Sequence, residues 1–188
     1  PSTAYKAYSL IGGLHMAQFG GNAVRWLYFL MGIAGCVMLA SGLQVWIRKR
    51  AARIEAAPFV SGYSLVSLLN VGVVAGMPFA IAAMLLANRL LPVGMAERAQ
   101  AEIAVFCLAW AAAPLWVAIR WRQRSAWRDL FAATAAVLFA IPALNFLLTE
   151  NSHLSASLAS GNTVIAAIDI MLLIAGLAFA LMAGRCHK

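Results

Sequence analysis

The chain has 188 residues, of which 64% are hydrophobic and only 11% are charged. A soluble domain is usually about half apolar and a quarter charged, so this composition excludes an ordinary soluble protein and indicates an integral membrane protein. The formal net charge of +8 could suggest a nucleic-acid partner. In a membrane protein, however, the position of the charges matters more, and their distribution favours topology signals and contacts with lipid head groups over nucleic acid.

Residues 1–23 are predicted to form a segment on the outer side of the membrane that leads into the first span. If residues 4–18 are helical, His15 shares a face with aromatic and apolar side chains one and two turns earlier. The pair Gly20–Gly21 would let the chain turn into the membrane. Because the first residue is Pro1 and not methionine, we expect the sequence to be part of a longer chain.

Residues 24–188 are predicted to form an all-α, polytopic membrane helix bundle. A spanning helix needs about 20 mostly apolar residues, and five stretches of the sequence qualify. These runs are continuous and rich in Ala, Leu and Gly, which favours helices over the alternating short strands of a β-barrel. The predicted spans are residues 24–47, 63–91, 102–120, 128–148 and 163–184.

The basic residues are distributed unequally about these spans. Ten of the 14 fall on one side of the membrane if the five helices alternate in direction. By the positive-inside rule that side is cytoplasmic, which places His15 and His153 on the outer side. The ten are Arg48, Lys49, Arg50, Arg53, Arg120, Arg122, Arg124, Arg128, Arg185 and Lys188.

A few polar and small residues lie inside the predicted spans, where each needs a hydrogen-bond partner, a packing role or a function. Asp169 is an intramembrane carboxylate, which is costly and by default a functional candidate. It lies about two turns from the outer helix end, so a structural hydrogen bond and a proton or cofactor role both remain open. Asn70 and Asn145 are predicted to form hydrogen bonds between helices, and Gly72 and Gly76 to let two helices approach closely.

The sequence carries no motif of an enzyme that works without a cofactor. It has no Walker sequence, no GxGxxG and no HExxH, so an enzyme of this sequence would take its chemistry from a bound group. The cysteines Cys36, Cys107 and Cys186 form no CxxC pair, which supports neither a disulfide framework nor a zinc site. Because C-x-x-C-H is also absent, any haem would be bound non-covalently.

The two outer histidines, His15 and His153, are the candidate metal ligands. A bis-imidazole haem needs two neutral histidines approaching iron from opposite faces, apolar surroundings, and cations for the propionates. Arg25 lies at the interface where it could neutralise a propionate, and a short helix after His153, capped from residues 149–151, would hold that ring. On the residues alone, an interfacial polar role for each histidine competes with ligation.

Residues 14–50, LHMAQFGGNAVRWLYFLMGIAGCVMLASGLQVWIRKR, resemble the hallmark segment of the PepSY-associated transmembrane proteins. In that family a pattern LH…FGG…R.LY…G…SGL..W..R leads into a span that ends in basic residues. The later spans resemble the same family more loosely. The matching positions are His15, Gly20, Gly21, Arg25, Gly42, Trp46 and Arg48 through Arg50.

This resemblance implies a bacterial inner-membrane protein linked to iron uptake, in a family that includes ferric-siderophore reductases with b-type haem. It implies non-covalent haem b with His15 as a ligand and Arg25 as a cofactor-binding cation. The surroundings of His153 match no motif of the family, and its assignment as the second ligand comes from its outer-side position. Electrons would pass from an unidentified donor to a ferric siderophore at the periplasmic face. A histidine upstream of residue 1 could replace His153 as the second ligand.

Two alternative functions compete with the reductase. One is a non-enzymatic permease, with Asp169 and proline kinks lining a path, and the other is a membrane anchor subunit of an iron-uptake system.

Overall fold

Eight α-helices make up the described part of the chain. The computed structural model describes residues 2–17, 20–56, 61–120, 123–149 and 153–186. No strand occurs among these residues, which confirms the all-α fold class. The helices are α1 (Thr3–His15), α2 (Gly21–Lys49), α3 (Ala51–Ala56), α4 (Gly62–Leu90), α5 (Arg98–Arg120), α6 (Gln123–Leu148), α7 (Leu154–Ala159) and α8 (Thr163–Arg185).

Five of these helices, α2, α4, α5, α6 and α8, are long and apolar enough to cross a membrane. Each coincides with one predicted span to within a few residues, so the prediction of a multi-pass membrane protein is confirmed. Helix α5 begins four residues before the predicted span. There the Arg98 Nε atom lies 3.0 Å from the Glu102 Oε1 atom, and this i,i+4 ion pair supports a helical turn outside the apolar run.

The chain divides into two compact units, Pro1–Ala51 and Ala52–Lys188, here called the N-terminal unit and the C-terminal unit. In the N-terminal unit, the Ser2 side chain caps α1 by accepting a hydrogen bond from the Tyr5 N–H at 3.4 Å. Gly21 begins α2 with a φ of +52°, a conformation that favours glycine. This backbone conformation agrees with the predicted turn at the glycine pair, and the outer-side placement of residues 1–23 stays a prediction.

In the C-terminal unit the four long helices alternate in direction along the chain, so the α4–α5 and α6–α8 pairs are antiparallel and the α4–α6 pair is parallel. Helix α4 packs on both α5 and α6, α6 packs on α8, and α5 touches α6 only marginally. We call the end at which α5 and α8 finish and α4 and α6 start the basic end, because Arg120, Arg128 and Arg185 lie there. The main apolar cluster is near this end and consists of Val71, Ala75, Ala113, Val117, Ala126, Leu130, Phe131 and Ala183.

Close backbone approach joins α4 to α5. A Cβ atom added to Gly72 would lie 2.6 Å from the Cα atom of Pro114, and one added to Gly76 would lie 2.5 Å from the Cβ atom of Ala113. Neither position can hold a larger residue without moving the helices apart. The predicted role of this glycine pair in helix packing is confirmed.

Candidate functional site

The end of the C-terminal unit opposite the basic end contains a buried carboxylate. Asp169 on α8 is 1% exposed, and Asn145 on α6 is 2% exposed. The Asn145 Nδ2 atom donates a hydrogen bond of 2.9 Å to the Asp169 Oδ1 atom, which confirms the predicted bond from Asn145 to a neighbouring helix. Asp169 lies six residues after the start of α8, about 9 Å along the helix.

Only one oxygen of Asp169 is satisfied by this bond. Within the described residues its Oδ2 atom is buried without a hydrogen-bond partner, although a buried polar atom normally has one. Structural hydrogen bonding is therefore part of the role of Asp169 but does not account for the whole carboxylate. Its proton or cofactor role stays a prediction.

The short helix α7 packs against α8 and α6 at this same end. Ser157 on α7 is fully buried, and its backbone oxygen accepts a hydrogen bond of 2.8 Å from the Asn162 N–H. Its Oγ atom is a second buried polar atom without a partner among the described residues. The sequence analysis missed Ser157, because one small polar residue in a short connecting segment produces no periodic signal.

His153 is the residue that caps α7. Its Nδ1 atom accepts a hydrogen bond of 3.3 Å from the Ala156 N–H and lies 2.9 Å from the Ser155 Oγ atom. The ring also meets Phe146 edge-on, with centroids 5.2 Å apart. The prediction of a cap from residues 149–151 was wrong: the Thr149 hydroxyl donates to the Asn145 carbonyl at the end of α6, and residues 150–152 lie outside the described residues.

The capping bond bears directly on whether His153 can bind iron. An imidazole that accepts a hydrogen bond at Nδ1 carries its single proton on Nε2, whereas Nε2 must be unprotonated to bind a metal. Ligation therefore requires the other tautomer, in which Nδ1–H donates to the Ser155 Oγ atom and the Ala156 N–H loses its acceptor. Binding a metal through Nε2 would therefore cost His153 a capping bond typically worth about 1 kcal/mol.

His15 and Arg25 both belong to the N-terminal unit. His15 is the last residue of α1, Arg25 lies in the first turns of α2, and both side chains are exposed. In the part of the chain that the structure describes, no group of three or more His, Cys, Asp or Glu residues could hold a metal ion. Two histidines are nevertheless the donor set that a bis-imidazole haem uses. Because His15 and His153 belong to different units, their pairing stays a prediction.

Comparison with known proteins adds a family relationship for the first quarter of the chain. Residues 1–49 match the family model described as the PepSY-associated TM region, so the resemblance predicted from the sequence is confirmed for this segment. An uncharacterized protein of Pseudomonas aeruginosa is 32% identical over 93 residues, which cover 46% of this chain and 22% of that protein. The chain thus matches about a fifth of that relative's length. No solved structure matches significantly.

Proposed function

We propose that this multi-pass membrane protein is the membrane part of a haem-dependent oxidoreductase of the bacterial inner membrane, which reduces ferric siderophores during iron uptake. The observation that carries the proposal is the match of residues 1–49 to the PepSY-associated TM region. That segment includes both His15 and Arg25, at the positions that the resembled pattern gives them.

Three residues of the chain would hold the cofactor. His15 and His153 would each offer a ring nitrogen to iron, and the Arg25 guanidinium would neutralise a propionate. Bound haem b supplies a one-electron carrier in apolar surroundings. One electron from a membrane or cytoplasmic donor would convert ferric to ferrous iron in the chelate, which weakens binding because Fe²⁺ is a poorer partner for hard oxygen ligands.

The packing near His153 supports this role. The Asn145–Asp169 hydrogen bond joins α6 to α8, and the Phe146 ring, one residue after Asn145, contacts the imidazole. A ligand needs such a fixed ring, because haem coordination requires a defined direction of approach to iron. The basic end would face the cytoplasm under the positive-inside rule, and His153 would then lie on the periplasmic side.

A reduced-minus-oxidised absorption spectrum of the purified full-length protein tests the proposal. We expect the Soret and α-band changes of a b-type haem, and their loss in His15→Ala. His187→Ala, in the last residues of the sequence, is the matched control and should leave the spectrum unchanged. A protein without any b-type signal overturns the proposal.

The same preparation distinguishes the two competing functions. Translocation of a ferric chelate into vesicles without a change in iron oxidation state would identify a permease. If His15→Ala leaves both the spectrum and iron-dependent growth unchanged, the chain is an anchor for other parts of the full-length protein.

A further inference from the structure

A mainly apolar groove lies between α5 and α6 near the basic end of the C-terminal unit. Its volume is about 350 Å³. It exists because α5 packs mainly on α4 and meets α6 only marginally, which leaves space between two consecutive helices. Its apolar walls include Phe79, Ala112, Leu115, Trp116, Ile119 and Leu130.

One charged side chain, Asp129, also lines the groove, and two arginines hold it. The Arg120 Nε atom lies 3.1 Å from Asp129 Oδ2, and the Arg128 Nη2 atom lies 3.1 Å from Asp129 Oδ1. The Arg120 guanidinium also lies over the Trp116 ring, 5.2 Å from its centroid. Since Arg120 contacts two lining residues, it marks the charged margin of an otherwise apolar groove.

The charges at this margin do not cancel. One carboxylate neutralises one of the two guanidinium groups, so the cluster of Arg120, Arg128 and Asp129 keeps a net charge of about +1. Each guanidinium has five N–H donors, more than a shared carboxylate can accept, and the side chains of Arg120 and Arg128 are 46% and 40% exposed. The margin is therefore suited to a phosphate, which guanidinium groups bind through paired N–H donors.

The length of the groove along α5 is close to the depth of one leaflet of the hydrocarbon core, as a bound acyl chain requires. Ala112 precedes Arg120 by eight residues on α5, which corresponds to about 12 Å along the helix. One leaflet of the hydrocarbon core is roughly 15 Å deep, half of its total thickness. A ligand with its charge at Arg120 would thus keep its apolar part within the leaflet on the basic side.

We propose that this groove binds an anionic phospholipid, with an acyl chain between α5 and α6 and the phosphate on Arg120 and Arg128. A zwitterionic lipid carries its own cation beside the phosphate, so the excess positive charge of the cluster attracts it less than an anionic lipid. Basic pockets between membrane helices are known to bind anionic lipid head groups. A quinone would use the same apolar walls without needing the two arginines. The proposal is independent of the proposed haem function.

Quenching of Trp116 fluorescence by brominated lipids tests this site. The purified chain is placed in phosphatidylcholine vesicles with a small, equal fraction of brominated phosphatidylglycerol or brominated phosphatidylcholine, and the Trp116-dependent emission is obtained by subtracting Trp116→Phe. At about 1 kcal/mol per lipid-facing cation, we expect about fivefold preferential quenching by phosphatidylglycerol. Arg120→Gln with Arg128→Gln should remove the preference but retain quenching by phosphatidylcholine.

Two further variants keep the test decisive. Arg98→Gln, at the other end of α5, is the matched control and should keep the preference. Ala112→Phe should fill the groove and lower quenching by both lipids. Equal quenching by the two lipids, a preference that survives loss of both arginines, or displacement of the lipid by a soluble ubiquinone analogue would each overturn the proposal. If circular dichroism shows that the double variant does not fold, the single variant Arg128→Gln is used in its place. We then expect a partial loss of the preference for phosphatidylglycerol.

Discussion

Asn145 on α6 donates a 2.9 Å hydrogen bond to Asp169 on α8, and both side chains are almost completely buried. The two bonded residues lie on different helices and are 24 positions apart in the sequence. In a membrane, where apolar side chains contact lipid as readily as each other, such a polar contact contributes directly to helix association. The pair therefore holds the end of the bundle at which α7 and His153 lie.

Removal of the hydrogen bond should destabilise the C-terminal unit. Asn145→Ala leaves the Asp169 carboxyl buried without its donor, so we expect the free energy of unfolding to fall by about 1–3 kcal/mol. A double-mutant cycle with Asp169→Ala should give a coupling energy of about 1 kcal/mol, measured by thermal unfolding in mild detergent. Asn88→Ala, which removes an exposed hydrogen bond to Glu102, is the control and should cost less. Strict additivity of the two single changes would contradict the inferred contact.

The close contact of α4 with α5 predicts a strong effect at one glycine. Gly72→Ala places a Cβ atom against the Pro114 backbone, which cannot rotate away, so we expect a loss of about 1–3 kcal/mol of stability. Gly184→Ala is the matched control, because it also lies inside a helix but would meet no atom within 4 Å. Helix propensity should make that control neutral or slightly stabilising. Equal unfolding temperatures for the two variants would contradict the packing described here.

Two substitutions at His153 separate its capping role from its predicted metal ligation. Asparagine is among the best N-cap residues, so His153→Asn should keep α7 ordered, whereas His153→Ala should lose about 1 kcal/mol of local stability. Hydrogen exchange at the Ala156 amide measures this difference. We expect both variants to lose the His153-dependent part of the haem spectrum. An unchanged spectrum in both would leave His153 as a cap only.

The thiol of Cys186, the residue that follows α8, should react slowly. Burial raises the pKa of Cys186 above its ordinary value, because desolvation disfavours the thiolate, which is the reactive form. In a Cys36→Ser, Cys107→Ser variant, Cys186 is the one remaining thiol. Its alkylation rate should still rise about tenfold per pH unit at pH values where the alkylation rate of an ordinary thiol begins to level off. The denatured variant should level off at lower pH. A plateau at the same pH in folded and denatured protein would contradict the burial effect.

The five membrane helices were predictable because a continuous apolar run of about 20 residues has one common structural explanation. Asn145 and Asp169 were each recognisable as polar residues inside such runs. That each would meet the other depended on which helices pack together, and hydropathy contains no information on that choice. The need for glycine at position 21 was foreseeable, because few other residues adopt its positive φ without strain.

Other features depended on three-dimensional detail. The cap on α7 depends on the ring of His153 turning back toward the Ala156 amide, and the sequence suggested residues 149–151 instead. The groove beside Trp116 results from the divergence of α5 and α6, although each helix by itself has an ordinary apolar sequence. Metal ligation by His15 and His153 stays a prediction, since the two residues belong to different compact units.

The contact between Gly72 and Pro114 also bears on the order in which the bundle assembles during synthesis. Helices α4 and α5 are joined by the short connection 91–97, so their interface is complete once residue 120 has been made. Helices form individually in the membrane before they associate, and the contacts of Gly72 and Gly76 with Pro114 and Ala113 lie entirely within this pair. Helix α8 is synthesised after α4, α5 and α6, so its attachment to α6 through Asn145 and Asp169 follows the pairing of α4 with α5.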